Sequence, residues 1–310
     1  MRYAVLFPGQ GSQFVGMGAE LFRARPDLLE EQADQALGWS LRGVCLEGPE
    51  EELSRTDRAQ PALYALSYTL WEAFAAAMPE APTGAAGHSL GEYTALAAAG
   101  VFDFFTGLRL VAARGEAMAA AGQVDPSGMV ALLGVEAEEA QAIAERRRAE
   151  GGRLWVANLN APGQVVLAGS ALDVAWVVDH AAALRVRRAV PLKVAGAFHS
   201  PYMAPAAERL RAALAAVTFQ APAFPVWSNV AARPVVSEEM ESLLSEQLVA
   251  PVRFADTLTG MAAAGAEAFV HVGPGDVTAG MARRSAPRRE ALVVGGLGDI
   301  EEAVSRLSEP

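Results

Sequence analysis

The chain has 310 residues, 52% apolar and 20% charged, which is enough to bury a sizeable core and too hydrophobic for a disordered polymer. A net charge of −11 and a pI near 5.0 exclude nucleic acid as the main partner. The lone Cys45 excludes an internal disulfide and a multi-cysteine zinc site, and suits a reducing cytoplasm.

In chain order, Tyr3 to Phe7 reads as a first strand closed by Pro8-Gly9, an apolar run too short for a signal peptide. Arg58 to Met78 has helical spacing of Leu63, Leu66, Leu70 and Phe74, with Pro61 near the start where proline is tolerated. Pro82 to Ala86 is poor strand material, with Thr83 its only β-branched residue. Leu90 to Ala99 and Phe104 to Ala121 read as helices ended by Gly100 and Gly122. Strands and long helices that alternate in this way point to a parallel sheet with covering helices.

The middle of the chain reads as strand Met129–Val135, helix Glu136–Glu150, strands Leu154–Ala157 and Val165–Ala168, helix Leu172–Leu184 and strand Arg185–Pro191. This β-α-β-β-α-β order is the ferredoxin-like split unit, expected as an inserted subdomain over 125–194 between two parts of a larger one, 1–124 and 195–310. The glycines and small residues of 122–128 and 195–197 suit the two crossings. Beyond them, Ala204–Val217 and Glu238–Val249 read as helices, and Val226–Val230 and Phe269–Val272 as strands. The uncharged stretch 212–232 is long enough for a membrane span, but Pro222, Pro225, Gln220 and Asn229 interrupt it. It reads as a helix end, a turn and a buried strand, and no membrane is expected as a partner.

Four features could carry chemistry. Gly87-His88-Ser89-Leu90-Gly91 opens onto a helix, and flanking glycines permit the tight strand-to-helix turn that exposes a nucleophilic serine. Alone, the same five residues also fit a helix-capping serine in a glycine-rich turn. A serine nucleophile needs an imidazole base, and only His88, His180, His199 and His271 exist. His199, after a small-residue run at a crossing, is the best placed. Gly9-Gln10-Gly11 follows the first strand and lacks both dinucleotide and P-loop spacing. It suits an oxyanion-hole donor, with the residue after the nucleophile, Leu90, as the second. Arg114, on a predicted helix, could pair with a carboxylate, or could be a solvated arginine.

Together these stretches resemble the malonyl-CoA:acyl carrier protein transacylases and, more broadly, the acyltransferase domains of fatty acid and polyketide synthases. The resemblance rests on Phe7-Pro8-Gly9-Gln10-Gly11-Ser12-Gln13, Gly87-His88-Ser89-Leu90-Gly91-Glu92-Tyr93 and Arg114-Gly115 with Met118. It continues through 158–169, 198–203, Gln247-Leu248 before Pro251-Val252-Arg253-Phe254, and Val272-Gly273-Pro274-Gly275, all in the family's order. It implies a large α/β-hydrolase-like subdomain with a parallel sheet and an inserted ferredoxin-like one. It implies Ser89 as the nucleophile that carries a malonyl group, His199 as its base and Gln247 as the orienter of the imidazole, by side chain or carbonyl. The amides of Gln10 and Leu90 become the oxyanion hole and Arg114 the partner of the malonyl carboxylate. Phe198 corresponds to the position where Phe accompanies malonyl selection and Ser methylmalonyl. The implied partners are malonyl-CoA and an acyl carrier protein, with no cofactor, and a separate chain of this length favours fatty acid synthesis. His271 and Asp276 depart from the family's usual residues next to the last motif. The competing expectation is a serine thioesterase or esterase of the α/β-hydrolase type, which would use a late acid and histidine such as Asp256 and His271.

Overall fold

The computed structural model describes residues 1–309. Its nine strands are β1 (Tyr3–Phe7), β2 (Ala85–Gly87), β3 (Ser127–Leu133), β4 (Leu154–Ala161), β5 (Gln164–Ser170), β6 (Arg188–Pro191), β7 (Val226–Trp227), β8 (Ala268–Val272) and β9 (Glu290–Val294). Five of them form one sheet in the order β7-β2-β1-β8-β9, parallel throughout. The other four form a second sheet, β4-β5-β3-β6, antiparallel throughout. With helices Ala137–Ala149 and Ala171–Asp179 between its strands, the second sheet has the ferredoxin-like order expected.

Alternation along β1 distributes the core. Tyr3, Val5 and Phe7 face a cluster shared with the long helices Thr56–Ala77 and Phe104–Gly122, while Ala4 and Leu6 face Phe254, Leu258 and Phe269 on the opposite side. The antiparallel sheet has its own core of Val130, Leu132, Leu154, Leu167 and Val177. The two crossings touch, because a Cβ on Gly122 would lie 2.3 Å from the Ala195 carbonyl oxygen. Only glycine admits that approach.

Several expectations need correction. The stretch judged poor strand material contributes β2, which pairs with β1 on one side and β7 on the other. A central, fully buried strand gains two ladders, and that pairing outweighs the weak propensity of Ala85-Ala86-Gly87. The strand expected over 226–230 stops at Trp227, where the chain bends so that Asn229 turns toward Ser89. The helix expected over 172–184 ends at Asp179, and the next strand begins only at Arg188, after Arg185 at φ 57°. The short helices between 19 and 53, helices Phe254–Ala263, Val277–Ser285 and Ile300–Ser308, and β9 were not anticipated. No helix among the described residues is long and apolar enough to cross a membrane.

Candidate active site

The site begins at the sharp turn between β2 and helix Gly91–Ala98. Ser89 sits there at φ 53°, a left-handed backbone that costs an L-residue roughly 1–2 kcal/mol. Both glycines of the turn are enforced by close approach. A Cβ on Gly87 would lie 1.9 Å from the Gly91 carbonyl, and one on Gly91 would lie 2.5 Å from the Phe7 oxygen. The strained peptide is clamped by Asn229, whose Oδ1 accepts from the Ser89 N–H at 2.7 Å while its Nδ2 donates to the Gly87 oxygen at 2.7 Å. The serine hydroxyl is thereby held clear of the sheet.

Ser89 Oγ lies 2.9 Å from His199 Nε2, and His199 Nδ1 lies 2.8 Å from the main-chain oxygen of Gln247. A carbonyl oxygen only accepts, so Nδ1 carries the proton and Nε2 presents its lone pair to the serine O–H. Burial, reinforced by the nearby Arg114 charge, pushes the His199 pKa down to about 3, so the ring is neutral at physiological pH. Of the two ways Gln247 could orient the imidazole, the contact is made by its carbonyl; its side chain is used elsewhere.

Arg114 projects from helix Phe104–Gly122 and is 1% exposed. Its Nη1 donates to Gln60 Oε1 at 2.6 Å, and its Nη2 donates to Ser89 Oγ at 2.9 Å and to Gln247 Oε1 at 2.8 Å. All three acceptors are neutral, its Nε has no partner, and it makes no ion pair among the described residues. Burial lowers its pKa, yet a guanidinium starts so high that it stays charged. A buried cation held by neutral oxygens beside a nucleophile is chemically suited to pair with an anion brought to the site.

A cavity of about 470 Å³ opens over these residues, and Met129, Ala131, Asn158 and Val166 of the antiparallel sheet supply its far wall. Phe198 lines it beside His199 and is buried. Gln10 and Leu90 line it too, and neither backbone N–H has an acceptor among the described residues. Gln10 itself is tethered through Nε2 to Thr56 Oγ1 at 3.3 Å.

None of the other histidines is hydrogen-bonded to Ser89 among the described residues. His271 is fully buried on β8, with Nδ1 2.6 Å from Thr278 Oγ1 and Nε2 3.1 Å from the Gly273 oxygen. Asp256 is an exposed partner of Arg253, so the Asp256–His271 pair of the competing reading is not assembled. His180 is exposed and stacks on Trp176. His88 lines the same cavity, and its Nε2 lies 2.8 Å from Asn160 Oδ1, so the ring bonds to the second sheet rather than to Ser89. Gln60 and Asn229 were missed in the sequence, where no spacing marks either, and Glu92 appeared only within a motif, without a role.

An acyl transferase domain model matches residues 5–296 of the chain. The malonyl CoA-acyl carrier protein transacylase of Bacillus subtilis (strain 168) is 39% identical over 311 residues, covering 99% of this chain and 98% of its own. The crystal structure of an acyl-carrier-protein S-malonyltransferase from Bartonella henselae superposes with a TM-score of 0.94 at 38% identity, with 100% of both chains covered. A malonyl-transacylase solved in complex with a type II polyketide acyl-carrier protein gives a TM-score of 0.93 at 36% identity over 99% of this chain and 100% of that one.

Proposed function

Since the chain belongs to the acyl transferase domain family, we propose that it moves a malonyl group from malonyl-CoA to the phosphopantetheine thiol of an acyl carrier protein, through a malonyl ester on Ser89. In the first half-reaction Ser89 Oγ attacks the thioester carbonyl carbon and His199 Nε2 takes its proton. The carbonyl oxygen becomes an oxyanion facing the unoccupied N–H groups of Gln10 and Leu90. As the carbon–sulfur bond breaks, the imidazolium returns the proton to the coenzyme A thiolate. The second half-reaction reverses these steps, with the carrier thiol as nucleophile and Ser89 as leaving group.

The observation that carries this reading is Arg114, a buried guanidinium 2.9 Å from Ser89 Oγ that makes no ion pair among the described residues. The malonyl carboxylate supplies a direct ion-pair partner, and a neutral acyl group does not. The Phe198 ring narrows the cavity beside His199, and rejection of one extra methyl there is worth about 1–3 kcal/mol, a partial preference for malonyl over methylmalonyl. The proposed setting is the cytoplasm and fatty acid synthesis. The missing assembly of Asp256 with His271 argues against the thioesterase alternative.

Arg114→Ala tests the assignment. Removing one partner of a buried charged pair costs about 2–5 kcal/mol, so malonyl loading of Ser89 should fall by about 30-fold or more. Loading of acetyl from acetyl-CoA should fall far less. Equal losses for the two acyl groups would remove Arg114 from carboxylate recognition.

A further inference from the structure

One buried carboxylate below the site takes no part in these steps. Glu92, in the first turn of helix Gly91–Ala98, is 1% exposed. Its Oε2 accepts from the Gln247 side-chain amide at 2.6 Å and from the Asn229 backbone N–H at 3.1 Å. The same Gln247 amide donates to the Ser89 carbonyl oxygen at 3.0 Å, and its Oε1 accepts from Arg114 Nη2 at 2.8 Å. Gln247 thus holds the base through its main chain and the cation through its side chain.

A carboxamide has two unlike ends, and its rotation by half a turn would present N–H groups to the guanidinium, donor against donor. Two acceptors on the Nε2 side oppose this, the Ser89 carbonyl oxygen at 3.0 Å and Glu92 Oε2 at 2.6 Å, and Glu92 makes the shorter contact. We propose that Glu92 is a positioning residue for recognition of the acyl carboxylate: by accepting from Gln247 Nε2 it keeps the amide oxygen toward Arg114 and so keeps the guanidinium beside Ser89. The inference rests on Arg114 receiving the malonyl carboxylate, as proposed above. It needs no particular charge on Glu92. Burial raises that carboxyl to about 7, so both protonation states occur near neutrality, and Oε2 accepts in either one when the proton resides on Oε1.

What Glu92 contributes is therefore an acceptor at one point, and two substitutions separate that from charge or bulk. Glu92→Met keeps the volume and removes the acceptor. The ratio of malonyl to acetyl loading on Ser89, read by intact mass, should then fall about tenfold, as expected when one hydrogen bond to a charged group loses its fixed partner. The loss should appear mainly in KM for malonyl-CoA. Glu92→Gln places an amide oxygen where Oε2 was and should bring the ratio back near its wild-type value.

An unchanged ratio in Glu92→Met overturns the inference, as does an equal fall for both acyl groups or a Glu92→Gln variant no better than Met. If Glu92→Met does not fold, Gln247→Leu keeps the main-chain oxygen for His199 and removes the amide. It should lose malonyl selectivity in the same way, and retained selectivity counts against the proposal. Wild-type enzyme that loads no malonyl group would instead refute the reading of Arg114, and the inference with it.

Discussion

At the scale of single residues, the site depends on a histidine kept neutral and an arginine kept charged within one buried network. His199 faces two influences of the same sign: loss of water and the Arg114 charge both disfavour the imidazolium, which moves the pKa from the usual 6.5 to about 3. A general base fails when it is protonated, so a lowered pKa moves that failure to more acid solution. The account predicts that kcat/KM for malonyl loading, which reports the free enzyme, stays flat from pH 8 down to about 5. An inflection near 6.5 that persists in Glu92→Gln, which has no carboxyl to titrate there, would mean a solvated imidazole and would contradict the burial of His199. Ser89, His199, Gln247 and Arg114 were all visible as candidates in the sequence, and the structure brings them within hydrogen-bonding distance of one another. The manner of contact was not visible. Gln247 orients the imidazole with a main-chain oxygen that every residue possesses, and Asn229 grips the Ser89 peptide from far along the chain. No local pattern encodes either contact, since both arise when separate loops meet.

At the scale of elements, the turn from β2 into helix Gly91–Ala98 is the most constrained piece of backbone. Gly91 packs against β1 so closely that a methyl group would sit 2.5 Å from the Phe7 oxygen and 2.7 Å from that of Pro8. Both obstacles are backbone, which cannot rotate aside. Gly91→Ala is therefore expected to lose more than the roughly 1–3 kcal/mol typical of overpacking. Thermal unfolding would register it as a drop of several degrees together with loss of Ser89 acylation, and a variant with wild-type melting and activity would contradict the packing described. The sequence made this turn legible because glycine spacing reports close approach directly. It made β2 itself illegible, since Ala85 and Ala86 have little strand propensity and owe their conformation to two neighbouring strands. The helices between 19 and 53 escaped for another reason: at four to seven residues each they are too short to display a period.

At the scale of the molecule, the reactive groups come from the parallel-sheet side and the opposite cavity wall from the antiparallel sheet. An acyl ester on Ser89 would form against that wall, and a transferase differs from a thioesterase built on the same serine and histidine in keeping water from that ester. The βαββαβ order of the second sheet was readable from alternating periods along 129–191, and its position over Ser89 was not, because contacts between distant segments set it: the touching crossings at Gly122 and Ala195, the Val252 backbone bonds to Ala157 and Leu159 of β4, and the His88–Asn160 contact. The most direct measurement is the intact mass of the enzyme after brief mixing with malonyl-CoA, for wild type and Ser89→Ala, followed by addition of acyl carrier protein bearing its phosphopantetheine thiol. The account predicts one malonyl adduct that requires Ser89 and passes to the carrier protein faster than to water. Steady release of free coenzyme A with no adduct that the carrier protein can discharge would contradict it.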